Sequence, residues 1–470
     1  MDLEGYAKQF IINNDPGAGE KLQKRITEIK NITDADAKKI ADAVLEEVSL
    51  TLDLTGDVFS FQKSGVTVGN FGVGSRGTGD FYVHSKIGDV IGKTGAVLDA
   101  SNLDDSGVVS VPSDLTDSFD LTGSSGHSDL SGDNSFLILT VDGMHSRLSS
   151  YPFLAGFHVA RAALRDIYVM GAKPLAMLSD IHVADDGDVS MIFDHLAGIS
   201  AVSELSGIPL VTGSTLRIGG DMVIGDRMTG CVGAAAVSGA ATLTARKQAV
   251  PGDLILMSRG AGGGTITTAA IYSGYVDAEA VVERTLNVDF LTACQAILDD
   301  GLNRRIHVMT DVTNGGIRGD AHEISKEANV RLVFEDDKLK QCVDPVVSKM
   351  LDALSIDFRG VSIDSLLVIC PPDVAKLVMK AVQKIGSEIF VVGRVEEKLQ
   401  GKPGAVLIRN GEEMDFKPLF REAPYTPLKK AIGEQTPPDF EEMRLKVDEA
   451  AAASILKKER IVKRIRENGQ

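Results

Sequence analysis

The chain has 470 residues, a formal net charge of −17 and an apolar fraction of 43%. That length exceeds what one hydrophobic core normally serves, so two sizeable domains with extensions are expected. The acidic balance excludes broad, nonspecific binding to nucleic acid, because phosphate would be repelled over most of the surface.

No apolar run reaches the roughly eighteen residues of a membrane span, and the start, MDLEGYAKQF, has neither the charge nor the apolar stretch of a signal peptide. A cytoplasmic protein without membrane partners is expected. Cys231, Cys294, Cys342 and Cys370 lie far apart among apolar neighbours, without metal-ligand spacing, and read as reduced core thiols.

Residues 1 to about 50 read as helices, the clearest over Asp34 to Val48 with Thr33 as N-cap and one apolar stripe. This region docks on the body of the molecule or on a partner subunit. From Val66 the chain becomes glycine-rich, with Gly69, Gly72, Gly74, Gly77 and Gly79. Such density exposes backbone N–H groups. It fits either a loop closing over nucleotide phosphates, with Arg76, His84 or Lys86 supplying positive charge, or a hairpin with glycine turns. Asp104 and Asp105 interrupt a strand-like segment, Leu103 to Val111. The polar run Ser113 to Asn134 then reads as an exposed loop in which His127 is solvated.

Phe136 to Val141 is a β-rich apolar run ending on Asp142 and a glycine, a common way to present a carboxylate to a cation. After Pro152 a helical pattern carries Asp166 and stops at Gly171. Those two acids alone fit a cation site or a solvated pair equally well. A second amphipathic helix spans Ile192 to Leu205, with His195 in the core or at the surface. GIPLVTGSTLRIGGD reads as strand, turn, strand, in which Gly213, Ser214 and Thr215 offer groups to phosphate or simply make a hairpin. Leu254 to Met257 is a strand followed by Gly260 to Gly264 and a helix. There, a glycine-lined helix N-terminus could bind an anionic substrate, or the glycines could allow tight packing. A further strand ends on Asp311, and Gly315 and Gly316 open a helix bearing His322 and Glu323 in structural roles. Strand, helix and strand follow over Ser365 to Cys370, Pro372 to Lys384 and Glu388 to Val395. An acidic-to-basic helix runs from Pro437 onward, solvated or clasping another subunit.

Taken in order, LDDSGVVSV, the strand ending on Asp142, the helix with Asp166 and MGAKP, TGST, PGDLILMSRGAGGG and TDVTNGGIRGDAHEIS form a specific combination. Over about residues 66 to 395 the chain resembles the superfamily of aminoimidazole ribonucleotide (AIR) synthetase, selenophosphate synthetase, thiamine monophosphate kinase and the ATP-dependent hydrogenase maturation dehydratase. The resemblance implies an α+β, two-domain AIR synthase-like fold. Its N-terminal mixed α/β domain would pair through its sheet in a homodimer, its C-terminal domain would be α+β, and both ends would carry helical extensions. The expected divisions are 1–62, 63–245, 246–425 and 426–470, with a protein partner meeting the helical ends.

The resemblance also implies ATP and Mg²⁺ as cofactors and phosphoryl transfer to, or activation of, an oxygen of a small molecule. Asp104, Asp105, Asp142, Asp166 and Asp311 are the expected metal ligands, an oxygen-rich, sulfur-free set that suits Mg²⁺. Gly74, Arg76, Gly77, Gly79, Gly213, Ser214 and Thr215 are the expected nucleotide-binding residues, and Lys86 and Arg165 the catalytic candidates. Two departures stand out. Ser214 replaces an Asp found in several relatives, and Arg165 stands where Asn is usual. Selenophosphate synthetases place Cys or selenocysteine early, whereas the first cysteine here is Cys231. The maturation dehydratase ends in cysteine, whereas this chain ends in Gln470. Both activities are therefore disfavoured. The alternative is a non-catalytic, nucleotide-sensing scaffold of the same fold.

Overall fold

The structure, a computed structural model, describes residues 1–52, 54–75, 77–102, 104–111, 135–313 and 315–468, with backbone alone at Asp57, Ala240 and Asn468. Arg76, Leu103 and the expected loop Ser113 to Asn134 with His127 lie outside the described residues.

Two sheets organise the fold. The first has strands β1 (Gly107–Ser110), β2 (Ser135–Gly143), β3 (Ala176–Val183), β4 (Leu210–Arg217) and β5 (Met228–Gly239) in the order β1-β2-β5-β3-β4. All neighbours are antiparallel except β3 and β4. The strand-like segment at residues 103–111 shortens to β1, which leaves Asp104 and Asp105 ahead of the strand. The TGST turn is corrected outright, because Gly213, Ser214 and Thr215 lie inside the continuous edge strand β4, paired with Ser179, Asp180 and Ile181 of β3. Thr and Leu on both sides favour extension, and the single glycine does not break it.

The second sheet contains β6 (Leu254–Ser258), β7 (Val308–Val312), β8 (Val330–Glu335), β9 (Ser365–Cys370), β10 (Ile389–Glu397), β11 (Ala405–Arg409) and β12 (Glu412–Asp415), in the order β12-β11-β8-β10-β6-β9-β7. Strands β7 and β9 are buried at every position, so that β7 carries Thr310 and Asp311 into the interior beside its apolar residues.

The helix Pro152–Tyr168 links the two layers. It is buried on nearly every side and packs beneath β2 and β5 on one face and against the helix Asp289–Asp299 on another. Close approach depends on glycine at its crossing with the helix Ser190–Ser206. A Cβ on Gly156 would lie 2.0 Å from the His195 carbonyl oxygen, and one on Gly198 would lie 2.2 Å from that of Phe153. His195 is a core residue whose Nδ1 meets the Pro152 carbonyl at 3.2 Å.

The N-terminal helices Leu3–Ile12, Ala18–Ile29 and Asp34–Leu52 form their own small core, which includes Ile224 of the first domain. Lys30 pairs with Asp185 and Asp186, so this extension docks on the same chain. The glycine-rich segment is neither open loop nor hairpin. Thr78–Ile91 is a helix held by the C-terminal helix Phe440–Asn468. Tyr82 bonds to Asp448, Lys86 pairs with Asp448 at 3.3 Å, and Arg444 stacks 4.5 Å over the Tyr82 ring. Tertiary contacts override the weak helix propensity of its glycines. Among the described residues no helix is long and apolar enough to cross a membrane.

Gly77 and Gly79 are packing residues: added Cβ atoms would lie 2.0 Å from the Phe420 carbonyl oxygen and 1.9 Å from that of Phe71. Gly77→Ala is expected to lower stability by about 1–3 kcal/mol in urea unfolding, and an unchanged midpoint would remove Gly77 from this contact.

Candidate functional site

A cleft of about 820 Å³ opens between the two sheets, and all five expected metal ligands line it: Asp104, Asp105, Asp142, Asp166 and Asp311. Each arrives on a different rigid support. Asp142 sits at the end of β2, Asp166 in the last turn of the helix Pro152–Tyr168, and Asp311 on β7. Asp104 and Asp105 precede β1.

Buried arginines organise these acids. Arg165 lies 3.0 Å from Asp311 and also contacts Asp364; Arg161 pairs with Asp364 at 2.6 Å and donates to the Gly262, Thr285 and Asn287 carbonyls. Arg246 reaches Asp105 at 2.6 Å, Glu323 at 2.5 Å and Asp320 at 3.5 Å. The Arg246 backbone N–H donates to Asp104 over 3.1 Å, and Thr310 donates to Asp105 over 2.7 Å. Asp166 accepts from Thr140 at 2.8 Å.

Burial and mutual repulsion set the protonation of these groups. Asp104 is pushed up to about 7, chiefly by burial, against the pull of Arg246. Asp311 is likewise pushed up to about 7 by burial, against Arg165. Asp166 rises well above the carboxylate range through burial and then the charges of Asp311 and Asp142. Asp364 moves the other way, because Arg165 and Arg161 outweigh its burial.

The donor set fits Mg²⁺. It is all oxygen, and its raised protonation reflects burial first and the neighbouring carboxylate charges after it. Among the described residues no three His, Cys, Asp or Glu side chains form a ready-made metal cage.

Of the expected nucleotide-binding residues, Gly74 lines the cleft with φ +78°, its N–H donating to Asp80. Gly213, Ser214 and Thr215 do not line it, and Arg76 lies outside the described residues. Arg165 is in the cleft as an ion-pair centre between the two sheets. Lys86 is not; it pairs with Asp89 and Asp448 on the helix's other contacts, because its side chain follows the C-terminal helix. Gly260 to Gly263 serve packing: a Cβ on Gly260 would lie 2.1 Å from the Ile363 carbonyl oxygen, and one on Gly263 2.4 Å from Asp364. Gly264 faces the cleft beside His145.

Sequence reasoning missed Arg161, Arg246, Asp364, His145, Tyr425 and Lys429. An acid directly before the buried run SLLVIC was the available signal for Asp364. Arg246 sits among polar residues between the two sheets, where nothing local marks burial. Cys231 is half-exposed on the open face of the first sheet, unlike the other three cysteines, which are buried.

Two sheet domains meeting at an acid-lined cleft define a class of two-domain α+β proteins, and family models place this chain within it. The AIR synthase related protein N-terminal domain matches residues 104–235 and the C-terminal domain residues 250–404. An uncharacterized protein of Methanocaldococcus jannaschii is 47% identical over 479 residues, covering 99% of each chain. The chain belongs to the AIR synthase related family. The selenide, water dikinase of Citrifermentans bemidjiense is 33% identical over 213 residues, 43% of this chain and 57% of that enzyme, so the match spans little more than half of the dikinase. The crystal structure of hydrogenase maturation protein HypE in complex with ATP shares the fold, with a TM-score of 0.51, 17% identity, and coverage of 65% of this chain and 90% of that one.

The raised carboxylates fix the sign of a pH effect. Asp104 and Asp311 titrate near about 7 when folded and about 4 when unfolded, so their contribution to stability is full below about pH 4 and lost as pH rises through about 7. Asp364, shifted down, loses its contribution only in more acid solution. In chelator the melting temperature is expected to fall between about pH 5 and about pH 8, and Mg²⁺ to restore it most at the upper end. A flat profile insensitive to Mg²⁺ would contradict this account of the acids.

Proposed function

We propose that this protein is an ATP-dependent enzyme that transfers the γ-phosphoryl group to an oxygen of a small molecule, or uses it to activate that oxygen. The supporting observation is the convergence of Asp104, Asp105, Asp142, Asp166 and Asp311 with Arg165 and Arg246 in one cleft. In such a step a new P–O bond to the acceptor forms as the bond to ADP breaks, and catalysis rests on positioning and charge stabilisation. A relative is named a dikinase and a structural neighbour was solved in complex with ATP, and both support the same reading.

Mg²⁺ held by these aspartates would neutralise the triphosphate. Arg165 orients Asp311 and Asp364 in our reading, and Gly74 lets the backbone approach the nucleotide. We also propose the divisions 1–62, 63–245, 246–425 and 426–470 as the domains and extensions. The scaffold alternative leaned on Ser214; that residue does not line the cleft, which weakens the argument.

The same reading includes a homodimer through the first sheet. Its open face carries Val141, Gly233, Leu178 and Thr212 in register across β2, β5, β3 and β4, with Val141 66% and Leu178 46% exposed. A contiguous apolar patch of this kind marks an interaction surface.

Titration calorimetry with a nonhydrolysable ATP analogue tests the enzyme reading. Micromolar binding, about −8 kcal/mol, is expected only with Mg²⁺, and Asp142→Ala should abolish it with little change in melting temperature. Unchanged affinity in that variant would remove Asp142 from the site, and no binding under any condition would favour the scaffold. For the dimer, sedimentation of a Val141→Asp, Leu178→Asp double variant is expected to give a monomer where the native chain gives a dimer. Equal masses for the two would defeat the interface.

A further inference from the structure

Around the acid half of the cleft, arginine answers carboxylate. Arg147 and Lys429 line the same cleft without such an answer. The Arg147 Cζ lies 4.2 Å from the centre of the Tyr272 ring, and Lys429 donates to the Tyr425 hydroxyl over 2.8 Å, its Nζ 4.0 Å from the ring centre. Among the described residues neither cation has a carboxylate within ion-pair distance.

The two cations are also close enough to repel one another. Burial, and then the Arg147 charge, lowers Lys429 to about 8. His145 offers no counter-charge. It is lowered to about 4 by burial and then by the charges of Lys429 and Arg147, and stays neutral between Tyr425 at 3.0 Å and Thr268 at 3.1 Å. The helix Gly264–Tyr272 starts at this wall. Gly264 and Thr265 line the cleft, no side chain caps the helix N-terminus, and its dipole adds positive potential.

Like charges held together without a partner oppose folding, and an anion of the right shape removes that cost. We infer that Arg147 and Lys429, steadied by Tyr425 and His145, form an anion-receiving subsite for a carboxylate or phosphate group on the molecule that accepts the phosphoryl group. This rests on the phosphoryl-transfer reading of the acid half and adds the class of acceptor: a small anionic molecule. Its anionic end sits on the cations, and its reacting oxygen faces the aspartates. Tyr425 and Lys429 lie beyond residue 404, where the family match ends, so the subsite draws on this chain's own C-terminal segment.

Lysine acylation of the full-length protein at fixed pH, read by peptide mass spectrometry, tests the subsite. Labelling is compared in chloride, acetate and inorganic phosphate at equal ionic strength. Acetate or phosphate is expected to slow labelling of Lys429 by about tenfold relative to chloride, while exposed Lys24 is unaffected; the anion that protects identifies carboxylate or phosphate. Arg147→Met should abolish the protection without lowering the melting temperature. Equal labelling of Lys429 in all three salts overturns the proposal. Protection by the Mg²⁺–ATP analogue but by neither simple anion also overturns it, by assigning both cations to the nucleotide. Anion protection without metal-dependent nucleotide binding supports the subsite and sinks the phosphoryl-transfer reading, so the two failures are distinguishable.

Discussion

Buried charge pairing between the two sheets is the constraint on which the rest of this structure depends. Arg161 and Arg165 leave the first layer on one helix and meet Asp364 and Asp311 of the second. Arg246 joins Asp105, ahead of β1, to Asp320 and Glu323 on the helix Gly316–Ala328. Buried ion pairs add little net stability over well-packed apolar groups, yet losing one partner is costly. Their effect here is geometric, since the two sheets are held at the separation that creates the cleft. The arginine at position 165 is therefore a strut between the two sheets.

That strut divides the cleft electrically. Carboxylates outnumber the guanidinium groups on one side and are forced toward protonation, whereas Arg147 and Lys429 repel one another on the other. Each half is incomplete in the sense opposite to its neighbour. A ligand set with a cation at one end and an anion at the other would relieve both halves at once, and neither half could be filled by a protein side chain without closing the space between the sheets.

Much of the fold was legible because its strands and helices carry clean periodicity. SLLVIC, the helix after Pro152 and the strand ending on Asp311 appear where their patterns put them. All five aspartates also meet in one cleft. The failures were of two kinds. Glycines at 77 and 79 looked like exposed backbone, but a side chain is excluded at each by a neighbouring carbonyl, that of Phe420 in a distant part of the chain for Gly77 and that of Phe71 for Gly79.

 The TGST stretch looked like a turn because it holds a glycine and two hydroxyl residues, but pairing with β3 extends it. The cations of the second half were invisible for another reason. Arg147, Tyr425 and Lys429 gain their meaning from being brought together without acids, and sequence does not show which charges lack a partner.

The C-terminal helix has a consequence for the order in which the molecule can be made. It holds the helix Thr78–Ile91 through contacts spanning 366 residues, from Tyr82 to Asp448, and that held helix contributes His84 and Ile87 to the cleft wall. Tyr425 and Lys429 also arrive late in the chain. During synthesis the aspartates and their strand supports emerge long before the segments that wall them in. The crowded carboxylates must therefore wait, open to water, until the segments carrying Tyr425, Lys429 and Asp448 have emerged, and the cleft takes its working shape only after both sheets are made.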